Sequence, residues 1–209
     1  MKFVLLIIAM AILAYVLGSV NGAIIASKYF FRKDIREYGS GNPGLTNFYR
    51  VFGKVGVLLV VAIDVIKTVA PVLVGGWLFG RFFDMALFGR VITGFFVMLG
   101  HCFPVFYGFR GGKGVMAAGA ILFIVDWRIA IISWGVFALI TATTRFVSLG
   151  AIIGSAAYPI SMLLLQIGGF KEVIAAFLSA VLIIARHQGN VVRLAKGEES
   201  RFSFRRNKK

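Results

Sequence analysis

Residues 55–79 run for 25 positions with only two charges, Asp64 and Lys67. About 20 such residues cross a bilayer core as a helix, so a run of this length points to a membrane span. It is one of several. By hydropathy, residues 3–27, 55–79, 85–107, 115–125, 129–144, 148–167 and 173–185 read as spans, with an interruption at Asp126-Trp127-Arg128. Hydrophobic residues make up 59% of the 209, more than one soluble core of that size can bury. The expected fold is an all-α integral membrane protein in one domain, residues 1–209: a polytopic bundle of about seven transmembrane helices with its polar loops on the cytosolic face. The first run reads as an uncleaved anchor, because it is long and only Met1-Lys2 precedes it.

Charge orients the bundle. With seven spans and the N-terminus outside, Lys28, Arg32, Lys33, Arg36, Arg50, Lys54, Arg110, Lys113 and Arg145 fall on the cytosolic face, as does a tail from Arg186 to Lys209 that includes Arg205, Arg206 and Lys208. Lys2, Arg81, Arg128 and Lys171 remain outside, a strong positive-inside asymmetry. The net charge of +15 also suits nucleic acid, but no soluble domain is left to carry that role. It fits cytosolic flanks, membrane lipid or an anionic substrate better. The single cysteine, Cys102, excludes a disulfide framework and reads as a small core residue. Eight acidic residues form no ligand cluster, so no metal or nucleotide cofactor is implied, and no obligate protein partner is evident. Asp64 and Lys67, three apart, read as an intramembrane pair that orients a helix.

Three glycine- and cation-bearing segments share the expected cytosolic face: YGSGNPGLTNFYR (38–50), GHCFPVFYGFRGGKGV (100–115) and ARHQGNVVRLAKGEE (185–199). The first crowds Ser40, Asn42, Thr46 and Asn47 ahead of Arg50; a helix beginning near Leu45 puts Thr46 and Arg50 on one face, suited to a phosphate. A plain glycine turn accounts for the same spacing. The second resembles a phosphate loop but is not a Walker motif. Tyr107 stands where that motif needs glycine, and Gly114 where it needs Ser or Thr. Backbone amides at Gly111, Gly112 and Gly114, with Lys113 as a point charge, remain. Arg110 reads as an interfacial anchor, and His101 at a span end as a packing histidine poorly placed to activate its neighbour Cys102. In the third, snorkelling explains Arg186 and Arg193 but not the adjacent His187 and Asn190. Glu198 and Glu199 fall at the tail end, leaving no carboxylate among the candidate groups. An organic-anion transporter is the competing class; the halves show no repeat and the polar segments sit at one face, against that reading.

Together, in this order and spacing, the segments resemble the bacterial acyl-phosphate:glycerol-3-phosphate acyltransferases, the PlsY type, over the whole chain. The resemblance implies a fatty acyl phosphate and glycerol 3-phosphate as substrates, lysophosphatidate as product, and a site at the cytosolic edge of the bacterial inner membrane. It implies that Ser40, Arg50, Lys113, His187 and Asn190 carry catalysis and contact glycerol phosphate. The amides of residues 111–114 and Lys113 are expected at the acyl phosphate. Asn42, Thr46 and Asn47 are expected to shape the first loop, with His101, Ser148 and Arg193 as further substrate contacts. Leu45, Arg110 and Gly189 depart from the family's usual residues without removing a functional group.

Overall fold

A computed structural model describes residues 1–202; the tail cations Arg205, Arg206, Lys208 and Lys209 lie outside the described residues. Among those described, ten α-helices and two short 3-10 turns form the chain, with no strand. All seven expected segments are helical. The first is two helices, α1 (Lys2–Gly18) and α2 (Gly22–Phe31), rather than one. Asn21 makes the break: its side-chain oxygen caps α2 at Ile24, and its amide donates to the Pro43 carbonyl at 3.1 Å. A capping residue buried in an apolar run left no trace in hydropathy.

A short helix, α3 (Leu45–Phe52), follows, then α4 (Val57–Phe83) and α5 (Ala86–Cys102). The interruption near Asp126 separates α6 (Val115–Val125) from α7 (Trp127–Thr144); Asp126 caps α7 and grips Arg128 at 2.9 Å. The bundle closes with α8 (Val147–Leu164) and α9 (Phe170–Arg186), and α10 (Gln188–Ala195) lies beyond. Among the described residues, five helical segments are long and apolar enough to cross a membrane. With 11 residues, α6 is about 17 Å long and α9, with 17, about 26 Å, both short of a bilayer core of roughly 30 Å.

Packing is inside-out relative to a soluble protein. Leu58 and Leu164 are 81% and 77% exposed, while Asp64, Lys67, Thr68, Ser161 and Ser179 are buried. Close helix approach is set by glycine: a Cβ at Gly18 of α1 would fall 2.2 Å from the Val97 carbonyl of α5, and one at Gly100 would fall 2.2 Å from the Tyr15 carbonyl. The start of α6 meets the ends of α5 and α9 at one end of the bundle. There the Gly112 amide donates to the His101 carbonyl at 3.1 Å, and Arg186 donates to the Gly111 and Gly112 carbonyls.

Candidate active site

That end holds a cavity of about 360 Å³. Its lining brings together Ser40, Asn42, Thr46, Asn47 and Arg50 from the first segment, His101, Lys113 and Gly114 from the second, and His187, Asn190 and Arg193 from the third, with Ser148 at the start of α8. Thr46 and Arg50 share the cavity face of α3, as their spacing requires. Asn47 organises the loop before them, accepting from the Ser40 amide at 3.0 Å and donating to the Tyr38 carbonyl at 3.0 Å.

The glycine loop is held from two sides. Arg186 lies over the Phe103 ring with its guanidinium 5.0 Å from the centroid while gripping the loop carbonyls. Gly112 presses on His101, where a Cβ would fall 2.2 Å from Nε2, and Gly114 turns into α6 with φ of 82°. The Gly112 amide is occupied by the His101 carbonyl, so the loop does not turn every amide toward a ligand. Gly111 lines a second, outer basic cleft of about 450 Å³ with Arg36, Arg110 and Arg186; Ser40, Asn42, Lys113, Asn190 and Arg193 line both.

Lys113 donates to the Asn190 side-chain oxygen. Burial is the main cause that lowers its pKa to about 8, with Arg193, Arg186 and Arg50 adding to the shift against the pull of Glu199. His187, at the α9–α10 junction, sets Nδ1 2.8 Å from the Ile183 carbonyl. Burial pushes its pKa down to about 4; the Ile183 bond opposes this and the Lys113 charge adds to it. On the inner side, an apolar cleft between α6, α7, α8 and α9 shares Val115, Trp134, Phe137 and Ala151 with the cavity.

Glu199 departs from the tail-end position expected of it. The chain after α10 folds back, and Glu199 accepts from Ser148 and Asn190 at 2.7 Å each and pairs with Arg193 at 2.8 Å. Burial raises its pKa, but these three partners outweigh it and the net shift is downward. Ser200 accepts from Arg50 at 3.2 Å, and the Phe202 amide donates to the Arg145 carbonyl at 2.7 Å. Arg186 also has a task that snorkelling does not supply, holding the glycine loop. The available signal was position: both residues sit inside the third motif.

The fold and site define a helical membrane protein whose one end gathers cations and amide donors around a cavity, with an apolar cleft beside it. The glycerol-3-phosphate acyltransferase family profile matches residues 8–197, and the chain belongs to this family. A glycerol-3-phosphate acyltransferase of Staphylococcus saprophyticus is 36% identical over 207 residues, covering 96% of this chain and all of that one. One from Thermoanaerobacter pseudethanolicus is 37% identical, over 91% of this chain and 93% of its own. Among solved structures, the glycerol 3-phosphate form of PlsY (YgiH), an integral membrane glycerol 3-phosphate acyltransferase, superposes with a TM-score of 0.83 at 34% identity, covering 94% of this chain and 96% of that one. Its lysophosphatidic acid form gives 0.82 at 32% identity.

Proposed function

We propose that this protein transfers a fatty acyl group from acyl phosphate to the sn-1 hydroxyl of glycerol 3-phosphate. The products are 1-acyl-glycerol 3-phosphate and inorganic phosphate, and the step is the first acylation of phospholipid synthesis. One observation carries the reading: Arg50, Lys113, His187 and Asn190 ring a single cavity, and an apolar cleft adjoins it across Val115, Trp134, Phe137 and Ala151. Such a site suits two phosphates, one of which brings an alkyl tail. The site faces the cytosol, where the soluble acceptor is available, and the protein resides in the bacterial plasma membrane. Similarity to bacterial relatives and the cation asymmetry support that placement.

The donor is a mixed anhydride and already activated, so positioning and charge stabilisation suffice. The glycerol hydroxyl oxygen attacks the acyl carbonyl carbon, and an oxyanion forms. The bond from that carbon to the phosphate oxygen then breaks, its electron pair leaving with phosphate. Arg50, Ser40 and Lys113 hold glycerol phosphate, Lys113 also neutralises charge on the donor, and His187 and Asn190 orient the attacking hydroxyl. The proton passes to a phosphate oxygen of the donor. That acceptor is the one the site leaves free at neutral pH. Glu199 is engaged by three partners, Asp64 is paired with Lys67, Lys113 with a pKa of about 8 holds its proton, and His187, with a pKa of about 4, is a weak base beside a phosphate dianion.

The direct test is purified protein in detergent micelles, where transport has no meaning, supplied with acyl phosphate and glycerol 3-phosphate. Lysophosphatidate and phosphate should appear in equal amounts. Absence of product from folded protein would remove the assignment.

A further inference from the structure

Asp64 and Lys67 are 2% and 7% exposed, a turn apart on α4, and the acyl-transfer scheme above gives neither a task. An ammonium carries three donors and no acceptor. Lys67 has three acceptors: Asp64 Oδ1 at 2.9 Å, His101 Nδ1 at 2.9 Å, and the Val20 carbonyl at the break between α1 and α2. Asp64 Oδ1 also accepts from the Gly22 amide at 3.2 Å, so the pair is anchored on three helices. Facing an ammonium, His101 Nδ1 presents its lone pair, and the neutral ring then carries its proton on Nε2. Protonating both nitrogens would destroy that acceptor and set two cations side by side. The Nε2 edge lies against Gly112, and His101 lines the cavity beside Lys113 and Gly114.

We propose that Lys67 is a positioning residue that never touches substrate: by holding Nδ1 as an acceptor, it fixes His101 as a neutral Nε2–H donor aimed at an anionic oxygen of the acyl donor. This rests on the acyl-transfer reading for the identity of that oxygen, while the tautomer rests on geometry alone. It also separates His101 from proton abstraction, because its cavity-facing nitrogen already bears a proton. Asp64 completes the device by balancing the Lys67 charge, which is costly to bury alone.

The chain has two histidines, so ring-15N-histidine spectra of the protein in detergent are readily assigned, with His101→Gln removing one set. In wild type at neutral pH, His101 should show a bare Nδ1 and a protonated Nε2. In Lys67→Met it should pass to a mixture of tautomers, with kcat falling about tenfold and the KM for glycerol 3-phosphate within about twofold. His101→Gln, whose amide N–H reaches the Nε2 position, should retain more turnover than His101→Asn. A protonated Nδ1 in wild type, an unchanged tautomer in Lys67→Met, or equal loss in the Gln and Asn variants would overturn the proposal. If Lys67→Met does not fold, the wild-type spectrum and the Gln–Asn pair decide. If wild type makes no lysophosphatidate, the acyl-transfer reading fails, and the ring spectrum still decides the tautomer.

Discussion

His101 and His187 line one cavity in opposite hydrogen-bonding states. At the end of α5, His101 Nδ1 faces an ammonium and must accept. At the α9–α10 junction, His187 Nδ1 faces a backbone carbonyl and must donate, which leaves its Nε2 bare. One histidine therefore offers a proton to the cavity and the other offers a lone pair, although the same residue type stands in both motifs. The difference comes from the partners: Ile183 lies one helical turn before His187, whereas Lys67 lies 34 positions from His101. The side chain that names a motif does not by itself assign its chemical duty; the group behind it does.

The largest effects should come from the cations that line the cavity with the two histidines. Arg50→Ala and Lys113→Ala each remove a charge-assisted contact worth about 1.5–3 kcal/mol, so each should lower turnover at subsaturating substrate by about tenfold or more. Near-wild-type rates in both would break the placement of the site. A smaller loss, about threefold to tenfold, is expected for Glu199→Gln, which keeps an oxygen for Ser148 and Asn190 but loses the charge facing Arg193. The loss should appear as a higher KM for glycerol 3-phosphate, because Arg193 in the cavity lining loses its ion-pair anchor; an unchanged KM would detach Glu199 from the site. Smaller still is a change of pH profile. Lys113 has a pKa of about 8, and it loses its charge above that value, so kcat/KM should decline there. Lys113→Arg, at a reduced rate, should lose this alkaline limb because guanidinium stays charged. Persistence of the limb would assign it elsewhere.

Orientation is open to a separate test. In a protein whose Cys102 is replaced by Ala, single cysteines at the exposed positions 171 and 54 would meet an impermeant thiol reagent on intact cells. Labelling is expected at 171 and not at 54, and the reverse would invert the bundle.

Much of this architecture was legible in the sequence because a bilayer imposes long apolar runs that hydropathy detects. The three motifs were legible because glycines, amides and cations crowd into short windows. What hydropathy missed depends on single long-range contacts. Asn21 breaks the first helix by reaching Pro43, 22 residues away. Glu199 enters the site only because the chain after α10 folds back onto Ser148, 51 residues away. The Asp64–Lys67 pair was legible from its spacing, but its link to His101 required the packing of α4 against α5. Charge count alone gave Arg186 no task; its grip on the glycine loop needs the end of α9 beside the start of α6.

The central claim is that the proton leaves with the donor's phosphate while His187 only orients the hydroxyl. The measurement is the pH dependence of kcat/KM for acyl phosphate in wild type, His187→Gln and His187→Ala. Glutamine keeps a hydrogen-bonding group without a basic nitrogen. It should therefore retain appreciably more activity than alanine, and its profile should keep the wild-type acid limb, set by the phosphate's second ionisation. Equal inactivity of the two variants, with the acid limb present only when His187 is intact, would make the histidine the base and contradict the mechanism.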